Sequence, residues 1–121
     1  MTIASNDFVH LHTHTEFSLL DGLGQIPDLV DEASDHGFDS LAITDHGALY
    51  GAISFYKAAK AREIKPIIGV ETYVARRSMT DKEGKADAQP FHLILLATDL
   101  VGGRNRPVRV PQGGEAGVIG R

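Results

Sequence analysis

Six residues have side chains suited to a shared chemistry: His12, His14, Asp21, His46, Glu71 and His92. All offer nitrogen or oxygen donors. Each lies in, at the end of, or just beyond a short apolar run that reads as a β-strand. A chain that delivers ligands from several strands to one rim can assemble a metal cluster there. Imidazole and carboxylate suit Zn, Mn and Fe. Such a cluster supports phosphoester hydrolysis, because it supplies a nucleophile from water and offsets the charge of a phosphate oxygen.

Taken singly, the residues leave duller readings open. In His12-Thr13-His14 the two imidazoles are two apart, so on a strand they share a face and can reach one ion. A lone pair of this kind also fits two surface histidines. Asp21 by itself reads as a turn residue. In Asp45-His46-Gly47, Asp45 can ligate, orient the imidazole from behind, or simply close a turn. Glu71 lies between Val70 and Thr72-Tyr73-Val74, so it must face solvent or a partner, since an unpaired buried carboxylate is costly. His92, between Phe91 and Leu93, also fits a hydrogen-bonded core histidine. The conjunction says more than its parts: four strands each bring His or carboxylate, and the chain has no cysteine. A multinuclear Zn or Mn cluster would yield a metal-bound hydroxide near neutral pH, with no serine or cysteine nucleophile needed. No GxxxxGK[ST] is present, which excludes a P-loop.

The elements that must position these groups can be read from periodicity. Phe8-Val9-His10-Leu11 is a short β-prone run ending at His12. The glycines of Asp21-Gly22-Leu23-Gly24 mark a loop. A helix fits 26–36, with Pro27 in its first turn, Leu29, Val30 and Ala33 on one face, and Gly37 as its stop. Residues 40–44 form a second strand. The spacing of Leu49, Ala52, Ile53, Tyr56 and Ala59 predicts a helix over 48–62, with Lys57, Lys60 and Arg62 off that face. Strands follow at 66–74 and 91–97, separated by a polar loop over 75–90. Strands alternating with helices favour a parallel sheet or a (β/α) barrel, whose sites lie at the C-terminal ends of the strands. His12, His14 and His46 fall there directly; Glu71 and His92 do not.

Composition narrows the class further. The 121 residues are 42% hydrophobic, enough for one small domain with a core. The absence of cysteine rules out disulfides and thiolate metal sites and fits a reducing cytosol, so a cytoplasmic location is expected. The start MTIASNDFVHLHTHTE has no cationic flank or long apolar stretch, so no signal peptide is expected, and no run approaches a membrane span. A net charge of −4 makes this chain alone a poor electrostatic partner for nucleic acid. The chain changes character near residue 101. Residues 102–121 hold 6 of the 13 glycines, together with Pro107 and Pro111, and show no helical period.

Three segments carry a resemblance: FVHLHTHTEFSLLDG (8–22), LAITDHGALYGAISFYKAAKAREIKPIIGVETYVA (41–75) and FHLILLA (91–97). Together they resemble the PHP (polymerase and histidinol phosphatase) family, and within it the N-terminal PHP domains of bacterial DNA polymerase III alpha subunits. The resemblance covers about the first 100 residues. It implies an α/β fold, the truncated N-terminal part of a distorted (β/α)7 barrel. By position, it makes His12, His14, Asp21, His46, Glu71 and His92 early metal ligands, with Asp45 behind them and a metal-bound hydroxide as nucleophile. The family's later ligands, a His or Cys and then an Asp-x-His, have no counterpart after His92. The organisation expected is therefore a partial PHP domain over 1–101 and an irregular Gly/Arg/Pro-rich tail over 102–121. Gly, Arg, Pro, Val and Ala have GC-rich codons, so residues from about 103 onward are expected to be a frameshifted reading of a GC-rich gene.

The function implied is that of an N-terminal fragment of a replicative DNA polymerase subunit. Its PHP domain would act as a metal-dependent phosphoesterase or 3′–5′ exonuclease with Zn or Mn, and the parent polymerase would use Mg. The partners implied are DNA and other replisome subunits, with no membrane. Two alternatives remain at this level: a stand-alone phosphatase of the histidinol-phosphatase type, and a non-catalytic structural fragment.

Overall fold

The computed structural model describes residues 7–78, 80, 81, 83–86 and 88–98. The expected boundary near 101, the tail over 102–121 and its frameshift origin lie outside the described residues. In chain order the elements are α1 (Ile26–Asp35), β1 (Ser40–Ile43), α2 (Ala52–Ala61), β2 (Lys65–Val74) and β3 (Phe91–Leu96). One 3-10 turn, Gly84–Ala86, interrupts the loop before β3.

The apolar run over 8–11 is extended, but it does not form the expected regular strand. The Ala42 N–H donates to the His10 carbonyl at 3.0 Å, and the Thr44 N–H donates to the Thr13 carbonyl at 2.8 Å. Two steps along β1 and its extension therefore face three steps along the N-terminal segment. The extra residue breaks the ladder, as a bulge does. Thr44 Oγ1 closes part of the gap by accepting the Thr13 N–H at 3.1 Å.

The sheet order is β1-β2-β3. β1 and β2 are parallel, joined through α2, with Ser40 opposite Lys65 and Ile43 opposite Ile68. The same offset continues past the end of β1, where His46 bridges to Glu71. β3 departs from the parallel expectation and runs antiparallel to β2, with Gly69 opposite Leu96 and Val74 opposite Phe91. The reason is the connection. A parallel return needs a long crossover, usually a helix. Among the described residues, 75–90 supply no α-helix, so the chain turns back on itself.

The core lies between β1, β2 and the two helices: Ile26, Val30, Ala33, Leu41, Ile43, Phe55, Ala59 and Ile64, with Ile68 packed against it. In α1 the buried residues Ile26, Val30 and Ala33 recur at helical spacing. The helix ends as its sequence predicts. Gly37 adopts a φ of 75°, and the Phe38 N–H folds back to the Ala33 carbonyl at 2.9 Å. α2 differs from expectation at both its start and its face. Residues 49–51 form a turn, closed by the Ala52 N–H on the Leu49 carbonyl at 3.1 Å. Phe55 and Ala59 are buried, whereas Ile53 and Tyr56 are exposed. The helix carries two apolar stripes. The one that includes the bulky Phe55 ring removes more apolar area from water, and it wins the core.

Side chains alternate across a strand, so Leu41, Ile43 and Ile68 face the helices. Thr44, His46, Gly69, Glu71 and Tyr73 then share the opposite face. No described helix is long and apolar enough to cross a membrane.

Candidate metal centre

Sheet register explains how the six residues meet. His46 lies beside Glu71 because it continues the β1–β2 ladder. His92, near the start of β3, reaches the C-terminal half of β2 because β3 is antiparallel. It pairs with Tyr73, one diagonal step from Glu71. The N-terminal segment, tied to β1 at His10 and Thr13, brings His12 and His14 to the same place.

Glu71 is the hub. It is 2% exposed, and its two carboxylate oxygens face different histidines. His12 Nε2 and His14 Nε2 each donate to Oε2 at 2.7 Å. His92 Nδ1 donates to Oε1, and His46 Nδ1 lies 3.8 Å from that oxygen. Burial pushes the Glu71 carboxyl up. The hydrogen bonds from His12, His14 and His92, with the charge of His46, outweigh it and hold the group at about 2. Glu71 is therefore an anion throughout the physiological range. Asp21 sits at the other side of His46, with Oδ2 2.8 Å from His46 Nε2 and Oδ1 3.8 Å from His14 Nδ1.

These contacts form three overlapping triads: His12-His14-Glu71, His14-Asp21-His46 and His46-Glu71-His92. Within each triad the donor atoms lie within 4.8 Å of one another. A tetrahedral Zn ion with bonds of 2.0–2.2 Å sets its ligand atoms roughly 3.3 Å apart. In the first triad the separations are 2.7, 2.7 and 3.2 Å, so small rotamer shifts admit a cation. The donor set is hard to borderline, which suits a divalent ion such as Zn or Mn. An imidazole normally gives one nitrogen to one ion. Glu71 has two oxygens aimed at two triads, and it is the one group shared by both that can serve both at once.

Asp45 has a different place from the one expected behind an imidazole. Its carboxylate is 2% exposed, and its side-chain hydrogen bonds among the described residues go to Thr15 and Ser18 rather than to a histidine ring. Oδ1 accepts the Thr15 N–H at 2.6 Å and the Ser18 hydroxyl at 2.7 Å, and Oδ2 accepts the Thr15 hydroxyl at 2.8 Å. Ser18 Oγ also accepts the His46 N–H at 3.3 Å. Asp45 thus clamps the 15–18 turn onto the end of β1. That turn lies between the His12-His14 pair and Asp21, so the clamp sets their mutual position.

Sequence reasoning missed three residues here. Thr15 and Ser18 partner Asp45 and are themselves buried. Tyr73 places its hydroxyl 3.4 Å from His46 Nδ1 and its ring nearly parallel to the imidazole. Strand alternation was the available signal for Tyr73, since residues 71 and 73 must share a face. No comparable spacing rule points to Thr15 or Ser18. A cleft of about 560 Å³ opens beside the cluster, with Asp21, His46, Tyr73 and His92 among its lining.

A sheet whose strands carry a His/carboxylate cluster on the face away from the helices fits a metal-binding α/β barrel segment. The family model for the PHP domain matches residues 10–106, and the chain belongs to that family. Within it, the chain matches the N-terminal region of bacterial DNA polymerase III alpha subunits. It is 47% identical over 107 residues to the subunit of Aquifex aeolicus, covering 84% of this chain and 9% of that protein. Identity to the subunit of Thermus aquaticus is 51% over 102 residues, covering 81% and 8% respectively. The chain thus spans less than a tenth of the length of these relatives. A solved structure of an amidohydrolase from Chromobacterium violaceum, with bound sulfate and no metal, superposes with a TM-score of 0.56 at 27% identity. That match covers 75% of this chain and 28% of the other.

Proposed function

We propose that this chain is the metal-binding part of a PHP domain that hydrolyses phosphoesters, acting as a 3′–5′ exonuclease within a replicative polymerase subunit. The observation that carries the reading is Glu71: a buried anion hydrogen-bonded by histidines from the N-terminal segment and β3, with His46, just past the end of β1, 3.8 Å away. Four imidazoles converge on this one carboxylate. His12, His14, Asp21, His46, Glu71 and His92 would hold the ions, with Zn or Mn the best fit to the donors. Divalent ions held there supply Lewis-acid stabilisation of the phosphate and an activated water. The chain's own residues do the positioning. Asp45 fixes the turn, Glu71 spans two triads, and the Tyr73 hydroxyl lies 3.4 Å from His46 Nδ1, the nitrogen that faces Glu71.

The resemblance to polymerase subunits supports DNA as substrate and other replisome subunits as partners, in the cytoplasm, with Mg serving the polymerase centre elsewhere in the parent. A partial PHP domain over 1–101 is part of the same proposal. The test is a full-length subunit carrying this domain, assayed on a 3′-mismatched primer with Mn²⁺. His12→Ala and Glu71→Ala should reduce mismatch removal to background while nucleotide addition continues at the wild-type rate. Equal removal by wild type and both variants would refute the assignment.

A further inference from the structure

The wall of the cleft is built differently from its floor. Turns at Ser18 N–H to Thr15 O (2.9 Å) and Gly22 N–H to Ser18 O (2.7 Å) hold the 15–22 loop, and Asp45 anchors it. Yet this anchored loop presents Leu19 and Leu20 to water at 88% and 102% exposure, with Tyr50 at 78% across the same cleft. Single exposed leucines are ordinary. An apolar lip on a fixed loop, adjoining a cluster of ligand-type residues, marks a binding surface. Phe17 also lines the cleft and packs against the core.

Among the described residues, the lining contains no Lys or Arg. A phosphate entering this cleft therefore finds its positive charge only at the floor, where ions would sit. The rest of the ligand meets the hydrocarbon of Leu19 and Leu20 and the rings of Phe17 and Tyr50. Asp45 already engages the Ser18 hydroxyl, and the Tyr50 hydroxyl is the polar group that the lip itself carries. The side chains of Phe17, Leu19, Leu20 and Tyr50 include no amide or cation of the kind that reads a base edge. A volume of about 560 Å³ suits a small organic group, within the roughly 300–1,000 Å³ typical of such sites.

We propose that Phe17, Leu19, Leu20 and Tyr50 form a seat for the nucleobase of the nucleotide being removed, gripping its faces without selecting its identity. This rests on the phosphoesterase reading. It makes the substrate a nucleoside phosphodiester of any base rather than a sugar or amino-alcohol phosphate. Base stacking on such surfaces is sequence-tolerant, and losing one platform weakens binding by about tenfold or more.

The test compares two diesters with the same leaving group, thymidine 5′-(4-nitrophenyl phosphate) and methyl 4-nitrophenyl phosphate, hydrolysed with Mn²⁺ by a full-length subunit carrying this domain. Leu20→Ser and Tyr50→Ala should each raise the ratio of the nucleoside-ester KM to the methyl-ester KM by about tenfold. Tyr56→Ala, exposed on α2 outside the cleft, should leave that ratio unchanged. A second readout needs no metal: thymidine should shift the Tyr50 ring resonances of the metal-free chain, and ribose should not. An unchanged KM ratio in both cleft variants overturns the base seat. So does a lowered thermal midpoint with no change in ratio, which would mean that the lip packs against protein. If the wild type cleaves neither ester but thymidine still shifts Tyr50, the phosphoesterase reading fails and the base seat stands.

Discussion

Glu71 decides the electrostatics of the site. Burial alone would favour its neutral form, but the surrounding histidines reverse that and depress the carboxyl from its ordinary 4.5 to about 2. Ionised Glu71 therefore stabilises the folded, metal-free chain. Because the folded value is the lower one, this contribution is complete above about pH 4.5 and is lost as pH falls toward 2. Glu71→Gln cannot titrate. Urea midpoints of the two proteins, measured in chelator from pH 6 down to pH 2.5, should differ most at the upper end and converge as the solution is acidified. A constant gap across that range would show that the carboxylate is not coupled to its histidines. The character of Glu71 was half legible in the sequence. Val70, Thr72, Tyr73 and Val74 demanded a partner for it, but which partner depended on strand pairings that span 21 to 59 residues.

At the scale of elements, local signals worked where the local chain decides and failed where distant segments do. α1 ends at the glycine that periodicity chose, and β1, β2 and β3 begin or end within a residue or so of their apolar runs. The face of α2 was misjudged because periodicity cannot rank two apolar stripes. The direction of β3 was missed because it depends on the missing crossover helix, and that direction is what delivers His92. The loop before α1 offers a test of how elements position the site. A Cβ on Gly22 would fall 1.9 Å from the Thr15 carbonyl oxygen, a backbone atom that cannot move freely. Gly22→Ala must then displace the turn clamped by Asp45, and Asp21 moves with it. The expected cost is about 1–3 kcal/mol in chemical denaturation. Zn²⁺ affinity, measured by competition with a chromophoric chelator, should fall further than in an equally destabilised core variant such as Ile64→Val. Equal affinity losses would mean that Asp21 does not depend on this loop.

At the scale of the whole molecule, the described residues form an open sheet with helices on one side. β1 is flanked by the N-terminal segment, but β3 is the last strand in the sheet, and nothing among the described residues pairs with its outer edge. Phe91 and Leu93 on that strand are 53% and 41% exposed. An unpaired edge with apolar side chains is a template for another strand. In the amidohydrolase that shares this fold, the matched region is 28% of the chain, so the comparable segment there has much more protein around it. For the 121-residue chain by itself, these features predict concentration-dependent self-association through β3. Sedimentation velocity over a hundredfold concentration range should show the weight-average mass rising for the wild type. Leu93→Lys puts a charge on the edge strand and should hold the chain monomeric, while an exposed change on α2 such as Ile53→Lys should not. If Ile53→Lys abolishes association and Leu93→Lys leaves it intact, the exposed stripe of α2 rather than the sheet edge is the sticky surface. The choice between them follows from geometry: the edge offers hydrogen bonds as well as apolar area, and the helix stripe offers only area.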